Sequence, residues 1–226
     1  MTASSLPGTV SNETVVETYD RVATAYDWLV APMQSGTRAR ALDALAVEPG
    51  ERVLEVGCGP GHALSAFARR VGPDGRVVGL DAAPGMLARA RTRTARSHAA
   101  DRTDLVVGDA RSLPLRDGAV DVAFVEDTLE LFSPAETRVV LAELDRVLAA
   151  DGRLCVVTME REAAERDPFV RAYEWVFAHV PGYDRFGCRP VYARRALEDA
   201  GFTIESEERR RQWGVWPVEI LLAHPA

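Results

Sequence analysis

Val53-Leu54-Glu55-Val56-Gly57-Cys58-Gly59-Pro60-Gly61-His62 is the stretch that decides the fold. A short apolar run carries one acidic residue, three glycines then alternate, and a helical pattern begins at His62. This order predicts a buried strand, a tight loop and a helix N-terminus, the part of an α/β domain where a nucleotide-like ligand sits. The residues narrow the ligand. A dinucleotide fingerprint needs its third glycine at position 62, where this chain has His62. Pro60 removes an N–H that could hold a phosphate, and Glu55 would repel a pyrophosphate while attracting a cation. A ligand with an ammonium and a sulfonium, and no phosphate, suits this loop better.

Outward from that loop the chain alternates strand and helix. Strands are expected at 52–56, 76–81, 104–108, 120–125 and 153–159, with helices at 61–71, 84–97 and 134–149 between them. Ser133 is the expected N-cap of the helix that begins at Pro134. Short apolar strands separated by helices predict a parallel sheet covered on both faces. Right-handed crossovers then put the ligand at the strands' C-terminal ends, where Glu55, Asp81, Asp109 and Glu126 fall. Ahead of the first strand, helical patterns from about residue 13 and over 36–46 predict a small separate layer able to close over the site. Residues 160–190 turn charged and then aromatic. A helix over 191–200 ends at Gly201, and two β-like runs, 202–207 and 213–223, predict an antiparallel pair at the sheet edge.

Composition excludes several classes. At 226 residues the chain suits one domain, and 47% hydrophobic with 27% charged residues is ordinary for a globular protein. No apolar run is long enough to span a membrane, and the polar first 14 residues do not read as a secretory signal. Cys58, Cys155 and Cys188 form neither a disulfide framework nor a metal-ligand spacing, so no metal is expected and a reducing cytoplasm is the simplest location. A net charge of −7 disfavours nucleic acid as a partner. All 27 basic residues are arginine, so a catalytic lysine and Schiff-base chemistry are excluded.

Glu55-Val56-Gly57-Cys58-Gly59-Pro60-Gly61, Gly79-Leu80-Asp81 and Gly108-Asp109-Ala110 together resemble the class I S-adenosylmethionine-dependent methyltransferases. Tyr19-Asp20, Tyr26-Asp27, the run 128–132, and Arg146-Val147-Leu148 with Gly152-Arg153-Leu154 are similar to the ubiquinone/menaquinone C-methyltransferase-like (type 11) branch. The resemblance implies an α/β, Rossmann-like, seven-stranded sheet of order 3-2-1-4-5-7-6, with the last strand antiparallel, helices on both faces and an N-terminal helical cap. It divides a single domain into the cap (13–47), a cofactor-binding core (48–160), a substrate-side helical and aromatic segment (161–200) and a C-terminal strand pair (201–226). It also implies S-adenosyl-L-methionine as cofactor and S-adenosyl-L-homocysteine as product.

By the same resemblance Gly57, Gly59 and Gly61 let backbone approach the methionine part, and Glu55 acts on its ammonium. Asp81 accepts from the ribose hydroxyls, Ala82 and Met86 lie against the adenine, and Asp109 with the Ala110 N–H takes the adenine amino group. Glu126 faces the sulfonium, and Tyr19 or Tyr26 covers the cofactor. Packing at helical spacing explains the two tyrosines equally well. On the acceptor side, Tyr173 and Trp175 are candidate walls, Arg189 a candidate anion partner and His179 a candidate general base. The expected acceptor is a small molecule, quinone-like or otherwise aromatic or polyketide, methylated at carbon or oxygen. A non-methylating descendant (a cyclase or binding subunit) and an NAD(P)-dependent oxidoreductase are the alternatives, and monomer and homodimer both stay open.

Overall fold

The computed structural model describes residues 14, 16–20, 31–161, 167–180 and 189–226. Its centre is a seven-stranded sheet: β1 (Arg52–Val56), β2 (Arg76–Asp81), β3 (Thr103–Val107), β4 (Val120–Glu126), β5 (Leu148–Met159), β6 (Thr203–Gln212) and β7 (Trp216–His224). The order is β3-β2-β1-β4-β5-β7-β6, with β7 antiparallel to both of its neighbours and the other pairings parallel. This is the fold expected from the sequence. Helices α1 (Ala31–Leu45), α2 (His62–Arg70), α3 (Pro84–Arg96), α4 (Pro134–Val147), α5 (Pro168–His179) and α6 (Ala193–Asp199) complete it.

Strand side chains alternate between the two faces, and both faces are buried, which is why the strands read as apolar runs. Val53, Val77, Val122, Phe124, Cys155 and Val157 point into one core with α1, α2 and α3. Leu54, Val56, Leu80, Ala123, Val125, Leu154 and Val156 point into the other with α4 and α6. Phe67 of α2 meets Phe124 edge-on at 5.4 Å, both fully buried. Crossovers on both faces bring the C-terminal ends of β1, β2, β3 and β4 to one rim. Register fixes their levels: Glu55 lies beside Phe124 and Gly79, and Asp81 beside Val107.

The N-terminal region departs from expectation. α1 is already helical at Ala31, five residues ahead of the start that the periodicity suggested. Nor is α1 a separate layer: Ala41, Leu42 and Leu45 share the core of α2 and α3. Only its first turns reach the rim. The segment 168–179, read from sequence as part of a helical and aromatic segment, is helix α5, capped by the Asp167 carboxylate, which accepts from the Phe169 N–H at 2.8 Å. Tyr26, Tyr183, Phe186 and Cys188 lie outside the described residues.

Candidate functional site

The rim encloses a cavity of about 440 Å³, lined by residues following β1, β2, β3 and β4 together with Val16, Tyr19, Gln34 and Arg38. Its floor is the glycine loop, whose backbone amides are already engaged. Gly57 and Cys58 donate to the Leu80 carbonyl at 2.8 and 3.0 Å, and Gly61 to that of Cys58 at 3.0 Å. Gly59 donates to Asp81 Oδ2 at 2.8 Å, and Pro60 has no N–H. A phosphate cradle needs such amides turned outward. Here they are spent on β2 and on the loop itself.

The three glycines divide the work differently from the expectation that all face the ligand. A Cβ on Gly57 would overlap the Thr128 side chain, so this glycine lets the chain after β4 press against the loop. On Gly61 it would sit 3.0 Å from Ala90, so this one lets α2 and α3 approach. On Gly59 it would meet nothing within 4 Å. Of the three, only Gly59 has open space at that position, and it lines the cavity.

Acid dominates the walls. Glu55 is 3% exposed, and its Oε2 has no hydrogen-bond partner. Burial pushes its carboxyl well above the ordinary value, the nearby Glu126 pushes it further, and Arg38 pulls the other way. Glu126, the last residue of β4, accepts from Arg38 Nε at 2.6 Å through Oε2, while its buried Oε1 has no partner. Burial lifts its carboxyl to about 7 against the pull of Arg38. Asp127, held at a positive φ of 47°, accepts from Gln34 Nε2 at 2.6 Å. Behind it Glu130 takes the Thr158 hydroxyl at 2.5 Å and the Met159 N–H at 2.9 Å, with its second oxygen unpartnered. Burial raises both of these carboxyls as well.

Asp81 sits where β2 ends. Its Oδ1 takes the Ala83 N–H and its Oδ2 the Gly59 N–H, both at 2.8 Å, and the carboxylate keeps acceptor capacity for a ligand. Burial raises this carboxyl, and the backbone amides of Ala83, Gly59 and Ala82 oppose that. Across the rim Ala82, Met86, Asp109 and Ala110 also line the cavity. Asp109 is gripped by the Arg111 guanidinium (Nη2 to Oδ2, 2.5 Å), which holds its carboxyl below the usual range, and Arg111 also reaches Glu136. Val16 and Tyr19 pack on Ala83 and Met86, and Asp20 takes the Gly85 N–H, so the N-terminal segment lies over this end. Cys58 is buried and its thiol is pushed up by burial, which argues against a nucleophile.

The structure thus brings together Tyr19, Glu55, Gly57, Gly59, Asp81, Ala82, Met86, Asp109, Ala110 and Glu126 on one wall system. Gly61 stands just behind it. The four acceptor-side candidates stand apart from this wall. His179 lies exposed at the last turn of α5, stacked on Trp175 at 4.8 Å with Nδ1 2.8 Å from the Trp175 carbonyl oxygen, and it is not on the cavity wall. Trp175 is 60% exposed on the same outward face. Tyr173 is absent from the cavity wall because it packs edge-on against Trp216 of β7 at 4.9 Å. Arg189 is one residue removed from the wall: its Nη2 donates to the carbonyl of Phe132, which does line the cavity. Sequence reasoning missed Gln34, Arg38, Asp127 and Thr128. Arg38 meets its carboxylate across 88 residues of chain, a pairing that no local pattern encodes.

Among the described residues there is no group of side chains fit to hold a metal ion, and no helix is long and apolar enough to cross a membrane. A family profile described as "Methyltransferase domain" matches residues 53–152. An uncharacterized 37.1 kDa protein in transposon TN4556 of Streptomyces fradiae is 43% identical over 168 residues, covering 72% of this chain and 46% of that one. A 2-phytyl-1,4-naphtoquinone methyltransferase of Synechococcus elongatus is 30% identical over 181 residues, covering 77% of this chain and 76% of that one. Among solved structures, a geranyl diphosphate C-methyltransferase from Streptomyces coelicolor, in complex with Mg2+, geranyl diphosphate and S-adenosyl-L-homocysteine, superposes with a TM-score of 0.69. It is 16% identical, over 85% of this chain and 81% of that one. The chain spans about half the length of two of the curated relatives it matches, 46% and 54%.

Proposed function

From a chain that belongs to the class I S-adenosylmethionine-dependent methyltransferases, we propose an enzyme that methylates a small molecule, with a quinone-like or other aromatic or polyketide acceptor at carbon or oxygen as the expected substrate. The observation that carries the reading is the donor set of the cavity. Its loop amides are spent, and two buried carboxylate oxygens, on Glu55 and Glu126, have no partner. A buried acid without a partner costs on the order of 1–3 kcal/mol or is neutralised by a proton, and a cationic ligand removes that cost. S-adenosylmethionine, with a sulfonium and an ammonium and no phosphate, fits that set; a pyrophosphate does not. The cavity volume of about 440 Å³ falls within the range of small-molecule sites.

In this reading Asp81 binds the ribose hydroxyls through its remaining acceptor capacity. Ala82, Met86 and Ala110 flank the adenine, and Asp109 presents a carboxylate to its amino group. Gly59 gives the methionine part a close backbone approach, Glu55 and Glu126 face the cationic end, and Tyr19 covers the whole. The cofactor supplies the electrophilic methyl group. The chain's contribution is to align the acceptor, exclude water and receive the acceptor's proton. Matched relatives named for demethylmenaquinone and 2-phytyl-1,4-naphtoquinone support the quinone-like acceptor, and the apolar Leu131 and Phe132 on the wall suit a flat ring.

Titration calorimetry tests the cofactor. S-adenosylmethionine should bind and NADH should not. Asp81→Ala should weaken binding about 10- to 100-fold, the loss of one or two hydrogen bonds to a charged group. Tight NADH binding without S-adenosylmethionine binding would overturn the reading, and an unchanged affinity in Asp81→Ala would remove the ribose role.

A further inference from the structure

Four carboxylates gather at the cavity's inner end: Glu55 on β1 and Glu130 are buried, and Glu126 ending β4 and Asp127 just beyond it are half-buried, the Glu126 side chain nearly enclosed. From α1, Arg38 and Gln34 face them, from β2 Asp81, and from β5 the neutral thiol of Cys155. Among the described residues, His62 and Arg111 are the other basic side chains on the cavity wall, and Arg111 is held by Asp109 and Glu136. Arg38 cannot balance four negative charges. Water is excluded from the orphaned oxygens of Glu55 and Glu126, so ionising every acid here without a further cation is unfavourable. Each must either hold a proton or meet a cationic ligand.

Glu126, like Glu55 and Glu130, has one oxygen fixed and one uncommitted, but it alone of these three is fixed by a cation, and unlike Glu130 it lines the cavity. Its Oε2 is clamped by Arg38 at 2.6 Å, its side chain is 8% exposed, and it lines the cavity. The clamp orients the carboxylate and leaves Oε1 as the position that gains or loses a proton. A sulfonium in the cavity favours the ionised form; its conversion to a neutral thioether removes that support. Resting on the methyltransferase reading, we propose that Glu126 is the proton sink of the reaction, ionised while the sulfonium is present and protonated once its charge is gone. The balance is complete. The acceptor forms a bond to the methyl carbon, the carbon–sulfur bond breaks with its pair left on sulfur, and the acceptor's proton ends on Glu126. One positive charge leaves the sulfur and one proton arrives at the carboxylate, so the buried site keeps its net charge. A resting carboxyl near 7 places this exchange at neutral pH.

The inference makes a proton count that calorimetry can read without any acceptor. S-adenosylmethionine and S-adenosylhomocysteine are titrated into the full chain near pH 6.5, where both ligands' amino groups are protonated, in two buffers of different ionisation enthalpy. Both carry the ammonium, so their difference isolates the sulfonium. The expected result is at least about half a proton more released per S-adenosylmethionine than per S-adenosylhomocysteine, the fraction a group titrating near 7 still holds. In Glu126→Gln that difference should vanish while S-adenosylmethionine still binds. Equal proton release by the two ligands on the native chain would overturn the proposal even though both bind, and a difference that survives in Glu126→Gln would overturn the assignment to this residue. Failure of S-adenosylmethionine to bind the native chain would instead sink the methyltransferase reading itself. The native-chain comparison stands whether or not the variant folds.

Discussion

At the scale of the residue, the two outer functions of the glycine loop separate cleanly. Gly57 has φ 70° and no room beyond its Cα, because Thr128 fills the space and bonds the Glu126 carbonyl through its hydroxyl at 2.9 Å. Gly59 has φ 51° and open space. Gly57→Ala must both strain the backbone and displace Thr128, which should cost about 2–4 kcal/mol of stability. Gly59→Ala carries only the backbone term of about 1–2 kcal/mol, but its methyl group enters the cavity and should lower cofactor affinity. Urea denaturation and calorimetry on the pair check this. Two variants with equal stability loss, or a Gly59→Ala that binds S-adenosylmethionine as the native chain does, would contradict the division. From sequence the three glycines look alike. What distinguishes them is the neighbour each one faces, and Thr128 and Ala90 come from elsewhere in the chain. The strand-end acids were legible for the opposite reason: Glu55, Asp81 and Glu126 belong to the strands themselves, so alternation alone fixed their level on the rim.

At the scale of the element, α4 shows local chemistry reaching the site. Ser133 accepts the Glu136 N–H at 3.3 Å, and Glu136 Oε2 accepts the Ser133 N–H at 2.9 Å, a reciprocal capping box with Pro134 at the first turn. The other Glu136 oxygen binds Arg111, which grips Asp109 on the cavity wall. Ser133→Ala should cost about 1 kcal/mol, a fall in Tm of roughly 2–4 °C for a chain of this size. Differential scanning calorimetry decides it, and an unchanged Tm would mean the box contributes nothing. This cap was readable because its signals lie within four residues. α5 was readable as part of a helical and aromatic segment, without the partner of its aromatic face. Phe169 and Tyr173 sit one turn apart and both pack on Trp216, so a window that suggested an acceptor wall serves to fasten a helix to β7. Periodicity shows that a face is apolar and says nothing of what it meets. The first turns of α1 were opaque for the same reason, since Gln34 and Arg38 find Asp127 and Glu126 only once the sheet has formed.

At the scale of the whole molecule, the carboxylates fall into two populations with opposite effects on stability. Away from the inner end of the cavity, Asp109, Asp121 and Glu143 are held below their ordinary values by Arg111, Arg52 and Arg146. Their folded pKa lies under the unfolded one, so what they contribute is present above the unfolded value and lost as pH falls below about 4. These pairs are partly exposed and screened, so each contributes little. At the inner end of the cavity the sign reverses. Glu126 titrates near 7 in the folded chain against an ordinary value of 4.5, and Glu55, Asp127 and Glu130 are raised as well. The folded chain holds protons that the unfolded chain gives up, so stability is greatest at low pH within that window and falls as pH rises from 4.5 through 7. Together the two populations place the maximum in mild acid. The expected Tm profile of the free chain therefore peaks between about pH 4 and 5 and declines toward about pH 8. A cation bound among those acids removes the cause of the decline. Saturating S-adenosylmethionine should accordingly raise Tm more at about pH 7.5 than at about pH 6, and S-adenosylhomocysteine should show a weaker dependence. A Tm that climbs steadily from pH 6 to 8, or a cofactor stabilisation independent of pH, would mean that the inner acids are not charged at the expense of the fold.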